Sequence, residues 1–425
     1  MRTVPFERPG ARPAKGLAAL LRHNQAFRRL FVARATSLIG DWFAFVALSS
    51  LVYDLTGSPG APALIFAAQS LPMFLLVPLT GPVADRLDRK RLKIACDLAA
   101  AIPVLGFLVS ARWGNAVLAF GCVALLSTLA AFADPIPEAA LPNLVAREDL
   151  SLAQTAMGGL YSVGLLLGAG LGGLTTATLG RDATFLVDLV TFLVSAVLIF
   201  RIRQPFSGFA PSGRPRLVRD TRQLWVFVRT TPVVLALLLI TVGLRLGYGV
   251  VGLLPAYALA HFHVGSAGVG GLFLAQGVGA VLGPFLGRAA ARDVPQRRLL
   301  VAGTAVGAFG LGYLGLAGAA SLPVGLPMAV VAHIGVGAGA ILAVNGLQVA
   351  SPDRVRGRVM ALVFGLSAGL QGLSAVMASW LTAALGLLWA TRVLALFAIG
   401  YSGVWLLGTM RLWRTRSARD GTQQA

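Results

Sequence analysis

Apolar residues make up 56% of the 425-residue chain and charged residues 12%, with a mean hydropathy of +0.78. A soluble domain needs about a quarter of its residues charged to cover its surface, so water is excluded as the main solvent and the outside of the fold must face lipid. The net charge of +20 raises the question of nucleic acid, but the Lys and Arg residues lie in short clusters between apolar runs, without a basic face carrying aromatic platforms, which excludes that partner.

In chain order, residues 1–29 form a tail with Pro5, Pro9, Pro13 and several Arg, and no apolar core leads to a cleavage site, so no cleaved signal peptide is expected. Runs of about 20 apolar residues, enough to cross about 30 Å of hydrocarbon, then start near residues 30, 61, 92, 116, 153, 183, 232, 266, 299, 324, 359 and 387. They predict an all-α membrane protein of twelve transmembrane helices, with both ends on one side. One six-helix bundle is expected over 30–203, a linker over 204–230, a second bundle over 231–411 and a tail over 412–425. The linker is set apart by Pro205, Gly208, Pro211, Gly213 and Pro215. Very short turns, Thr56-Gly57-Ser58-Pro59 and Gly180-Arg181-Asp182, join neighbours on the far side.

Every Lys and Arg except Arg34, Arg112, Arg181, Arg245 and Arg392 falls in segments on the side of the termini. By the positive-inside rule that side is cytoplasmic, which predicts a multi-pass protein of the cell (inner) membrane with both termini in the cytoplasm. Cys96 and Cys122 lack metal-ligand spacing and read as packing residues, and neither a metal nor a cofactor is expected. No Ser-His-Asp arrangement or phosphate loop is visible, so an enzyme and direct ATP drive are not expected.

The strongest local motif is Gly81-Pro82-Val83-Ala84-Asp85-Arg86-Leu87-Asp88-Arg89-Lys90-Arg91, between the second and third runs. It resembles the loop signature G-x-x-x-D-R-x-x-R-K/R of the major facilitator superfamily. The resemblance implies two pseudo-symmetric six-helix bundles that rock about a central cavity. It also implies a conformational latch of Gly81, Asp85, Arg86, Arg89 and Lys90, with the carboxylate at the N-terminus of span eleven. There, Ser351-Pro352-Asp353 reads as an N-cap followed by proline at the first helical position. Gly283-Pro284-Phe285-Leu286-Gly287-Arg288 echoes the motif in the second half, with glycine in place of the acid, so the latch is expected to be one-sided.

Other stretches look like the exporter branch that includes macrolide-efflux and enterobactin-exporter proteins. They are Asn24-Gln25-Ala26-Phe27-Arg28-Arg29-Leu30, Gly40-Asp41-Trp42, Ala140-Leu141-Pro142-Asn143-Leu144-Val145 and Pro352-Asp353-Arg354-Val355-Arg356-Gly357-Arg358-Val359-Met360. Pro137 and Glu138 depart from that branch, standing where a basic residue is expected. Gly164, Gly168, Ala169, Gly172 and Gly173 are similar to an antiporter signature of span five, with alanine for its proline. Plain close helix packing accounts for the same glycines.

A charge inside a span costs about 2.5–3.5 kcal/mol on insertion scales, so each asks for a partner or a function. Asp41 falls halfway along span one and Arg245 halfway along span seven. The resemblance sets these spans on opposite sides of the cavity, so the two are expected to face it together, with Asp41 carrying the driving proton; a static ion pair is the structural alternative, and Arg245 binding an anionic substrate group is another. Trp42, Tyr248, His333 and Asn345 are expected to line the cavity, although packing explains a lone histidine as well. Asp97 and Asp134 read as caps near helix ends, and Asp188 as a bundle contact, with a second coupling site as the alternative. His261 and His263 make a weak metal motif.

The apolar walls suit a small hydrophobic or amphipathic cargo, and a monomer working with protons, cargo and membrane lipids is expected. Three readings stay open on the sequence: proton-antiport export of a drug, secondary metabolite or siderophore; movement of a lipid-like substrate by the same fold; and a receptor or scaffold that no longer transports.

Overall fold

The computed structural model describes residues 16–206, 217–292 and 294–421; the central part of the expected linker lies outside them. Among the described residues the backbone is helical throughout, without strands. Twelve crossings are present. They are α1 (Gln25–Thr56), α2 (Ala61–Arg86), α3 (Arg89–Trp113) and α4 (Ala116–Leu144). The 51-residue helix Leu150–Phe200 is divided at Gly180 into α5 and α6. The second half holds α7 (Pro232–His261), α8 (Gly265–Ala291), α9 (Pro295–Leu316), α10 (Leu322–Ala350), α11 (Asp353–Leu385) and α12 (Leu387–Gly421).

Local chemistry sets the ends. Asn24 caps α1 by accepting from Phe27 N at 2.9 Å, and Asn115 caps α4 by accepting from Leu118 N at 3.0 Å. Gly57 and Gly114 close α1 and α3 in the left-handed conformation, and Gly180 turns the chain at φ 86°, a region glycine enters without penalty. One end differs from the reading of the sequence. α11 starts at Asp353 with Pro352 in the cap position, and the Ser351 hydroxyl caps nothing.

The halves touch along α2 with α11 and α5 with α8. Small residues permit it: a Cβ on Gly173 would lie 2.7 Å from Gly270 Cα, and one on Gly252 2.7 Å from Ala63 Cα. At the end away from the termini, the Ser50 and Ser266 hydroxyls join the halves at 2.9 Å. Nearer the termini, Gly158 and Gly159 on α5 and Gly365 on α11 have nothing within 4 Å of a Cβ position. The Ser50–Ser266 contact closes the seam at the far end.

The end that carries the termini is braced within the first half. Arg29 and Lys90 donate to the carbonyls of Arg201 and Ile202, the latter at 2.7 Å; Asn143 donates to Phe206 O at 3.0 Å and Asn24 to Leu144 O at 2.7 Å. The motifs around Asn24 and Asn143 thus tie the start of α1, the end of α4 and the chain leaving α6 into one cap.

Candidate functional site

Two groups of polar side chains lie at membrane depth, one in each half. The first is inside the amino half. Asp41, Lys93, Asp97, Asp134, Ser37 and Cys96 line an opening with an empty volume of about 320 Å³ between α1, α3, α4 and α6. Lys93 and Asp97 pair at 2.5 Å while 3% and 2% exposed, and Ser195 donates to the other Asp97 oxygen at 2.8 Å. Asp134 receives Arg34 at 2.6 Å. Asp188, fully buried on α6, holds the Thr191 hydroxyl at 3.4 Å from Oδ1, and its Oδ2 has no partner. It stands against α1 beside Asp41: a Cβ on Gly40 would meet Asp188 Oδ1 at 2.6 Å and Thr191 Oγ1 at 2.1 Å.

This differs from the sequence reading in three ways. Asp97 and Asp134 are not caps but members of ion pairs, the Lys93–Asp97 pair buried and the Arg34–Asp134 pair half-buried. Lys93, which the charge pattern assigns to a loop, is buried in the bundle. Asp41 does not meet Arg245: no ion pair joins them among the described residues, and Asp41 turns into its own bundle, away from the second half. The grouping was missed because its members are scattered from residue 34 to residue 195 and share no spacing.

The second group sits at the seam. Arg245 donates to Gln371 Oε1 at 2.9 Å and lies 5.4 Å over the Tyr248 ring. Gln276 donates to the Tyr248 hydroxyl at 3.0 Å. α7 is irregular here: it passes from α to 3₁₀ geometry over Tyr248–Leu253 and to a π turn over Tyr257–His261. Pro255 removes one backbone donor from this stretch, and the Ser374 hydroxyl on α11 accepts from Gly249 N at 2.8 Å. Across from Arg245 stands an aromatic wall. Trp42 packs on Phe45, Tyr161 and Phe273 with ring centroids 5.4, 6.1 and 5.7 Å apart, and Phe45 packs on Phe66 at 5.0 Å. Because Phe273 belongs to α8, this wall bridges the halves.

Of the other expected cavity residues, Trp42 and Tyr248 lie at this seam. His333 is 1% exposed inside the second half, packed edge-on against Tyr248 and Tyr313, with Nδ1 3.0 Å from Ala329 O. Asn345 is half-buried on α10. His261 directs Nε2 to Ala319 O at 3.1 Å. In α5, a Cβ on Gly164, Gly168 or Gly172 would stand 3.0 Å from Leu38 Cβ, 2.6 Å from Ile39 O or 2.7 Å from Phe43 Cα, so these glycines seat α5 on α1 while Gly173 faces α8. Of the latch residues, Gly81, Asp85 and Arg86 lie on the last turns of α2 and their side chains are outside those described; Lys90 caps the Ile202 carbonyl, and Arg89 begins α3. In the second copy, Gly283 and Gly287 press α8 on α10, where a Cβ would come 2.6 Å from Ile334 O and 2.8 Å from Ala338 Cβ.

Comparison with known proteins agrees with this architecture. The multidrug efflux pump Tap of Mycolicibacterium fortuitum is 27% identical over 379 residues, covering 84% of this chain and 89% of Tap. The enterobactin exporter EntS of Citrobacter koseri is 25% identical over 69% of this chain and 71% of its own length. The similarity to the transporter YkuC of Bacillus subtilis, 27% identical, spans 45% of this chain and 44% of YkuC. Among solved structures, the nucleoside transporter NupG superposes with a TM-score of 0.70 at 11% identity, over 90% of this chain and 99% of NupG. A bacterial homologue of the lysosomal transporter Spinster superposes with a TM-score of 0.66 at 16% identity, over 95% and 97%. The family profile described as Major Facilitator Superfamily matches residues 30–370. With twelve membrane helices in two halves, the chain belongs to the major facilitator superfamily, and it is a membrane-embedded transporter of small molecules rather than an enzyme.

Proposed function

We propose that the protein exports small hydrophobic or amphipathic compounds, drugs or secondary metabolites, by proton antiport across the bacterial inner membrane, with both termini in the cytoplasm and the monomer as the working unit. Transport would proceed by alternating access, in which rocking of the halves separates Ser50 from Ser266 at the far end. The Gly81-to-Arg91 segment, with Asp85 and Arg86, would act as the latch between these states.

One observation carries the coupling reading: the imbalance of buried charge in the amino half. Asp41, Asp97, Asp134 and Asp188 are grouped with only Lys93 and Arg34. A surplus carboxylate at membrane depth is costly, and a proton neutralises it. Lys93 and Arg34 already hold Asp97 and Asp134, which leaves Asp41 and Asp188; of these two only Asp41 lines the opening, so it is read as the proton carrier. Its neighbour Trp42 touches the aromatic wall, so a change at Asp41 reaches the cargo path through a single residue of α1. The named functions of Tap and EntS, drug efflux and siderophore export, support the outward direction.

The test is gradient-driven transport in proteoliposomes, using a compound found by an efflux screen in a host stripped of its own pumps. Asp41→Asn should keep wild-type yield and cargo exchange without a gradient, but lose uncoupler-sensitive accumulation. Full accumulation by that variant would remove Asp41 from the coupling role.

A further inference from the structure

Arg245 has no carboxylate partner among the described residues, although it lies mid-span. Of the acids in its own half, the described Asp220, Asp353 and Asp420 lie on helix segments at the end carrying the termini. In the amino half, Asp41, Asp97, Asp134 and Asp188 sit inside their own bundle. A guanidinium without a counter-ion at this depth is expensive to keep. Yet Arg245 and Tyr248 are only half-buried, so both are open to a ligand at the seam.

The bonds around Arg245 leave donors facing outward. The guanidinium has five N–H donors and no acceptor, and one contact, to Gln371 Oε1, is accounted for. That contact occupies the Gln371 oxygen and frees its NH₂. The Tyr248 hydroxyl accepts from Gln276 and so keeps its own proton to donate. Guanidinium, amide and phenol together make a set of donors with a positive centre. Such a set matches an anion, because charge-assisted bonds to a planar oxyanion are about twice as strong as neutral ones. A cation would meet repulsion from the guanidinium. Beside this set, the exposed Tyr161 ring packs on Trp42 and offers an aromatic surface, backed by the buried Phe45 and Phe273.

We propose that Arg245, Tyr248 and Gln371 form an anion-binding subsite that selects amphipathic cargo with a carboxylate, sulfonate or phenolate head on an apolar aromatic body. Calling the ligand a cargo rests on the export reading; the binding itself does not. The irregular turn of α7 at Tyr248 holds the subsite at mid-depth, its following residues Gly249–Leu253 buried in protein, where such backbone is tolerated.

The test is equilibrium binding to the full chain in phosphatidylcholine nanodiscs without a proton gradient, with empty-disc signal subtracted. Three probes are titrated: 8-anilinonaphthalene-1-sulfonate, its uncharged counterpart N-phenyl-1-naphthylamine, and the cation tetraphenylphosphonium. The sulfonate should bind at least tenfold more tightly than the other two. Arg245→Gln should lose that tenfold advantage while N-phenyl-1-naphthylamine binding stays unchanged, which shows that the variant is folded, and Arg245→Lys should retain part of it. Tyr248→Phe should weaken the sulfonate about threefold. Equal sulfonate affinity in wild type and Arg245→Gln, no sulfonate binding above empty discs, or tighter binding of the cation would each overturn the subsite. Because no gradient is used, such a result would leave proton-driven export standing, and a failure of the Asp41→Asn test would leave the subsite standing.

Discussion

The pair Lys93–Asp97 offers the sharpest quantitative test of the amino-half interior. Lys93→Met keeps the length and apolar stem of the side chain and removes the ammonium. Asp97, 2% exposed, then retains only the Ser195 hydroxyl. Breaking a buried pair by removing one partner costs about 3–5 kcal/mol, since the other charge stays desolvated. A lysine four residues before an aspartate on one helix is the weaker order for a surface pair, worth a few tenths of a kcal/mol at best, so a large value can come only from burial. Asp97→Leu alone should cost a similar amount by stranding Lys93. The double variant Lys93→Met/Asp97→Leu removes both charges and should fall within about 1 kcal/mol of wild type or exceed it, since apolar replacement of a buried pair is often neutral or stabilising. Denaturant unfolding of the four proteins in one detergent closes the cycle, and a coupling energy of about 2 kcal/mol or more is expected. Single-variant costs below about 1 kcal/mol that simply add would show that Lys93 reaches polar surroundings, and that the bundle interior is not sealed.

Two further outcomes follow from the packing. Gly172→Ala places a Cβ 2.7 Å from Phe43 Cα, backbone that cannot yield without separating α5 from α1; a loss of about 1–3 kcal/mol in the same unfolding assay is expected, whereas Gly158→Ala, with nothing within 4 Å, should be nearly neutral. Equal effects would refute the assigned helix contact. Ser50→Cys/Ser266→Cys should cross-link on mild oxidation, because the two hydroxyls lie 2.9 Å apart; the bond should stop transport and a reductant restore it, while a cross-linked protein that still transports would show that this end does not open.

Hydropathy alone placed the twelve crossings, with starts at 61, 116, 232 and 387 matching the helices to the residue, because the need to bury every backbone polar group in lipid leaves a local sequence little choice but helix. The turns were equally legible: Gly57 and Gly180 take left-handed or extended positive-φ conformations that their neighbours would resist. The sequence also marked Asp41 and Arg245 as costly charges in search of a role. It could not say which way they point. Successive residues on a helix are turned by about 100°, and that single step sends Trp42 to the seam with Phe273 while Asp41 enters the opening with Lys93, Asp97 and Asp134. Nothing local distinguishes the two directions, since both faces of α1 are covered. Only the packing of α3, α4, α5 and α6 around α1 decided that the acids gather inside one half, leaving Arg245 at the seam without a carboxylate partner among the described residues.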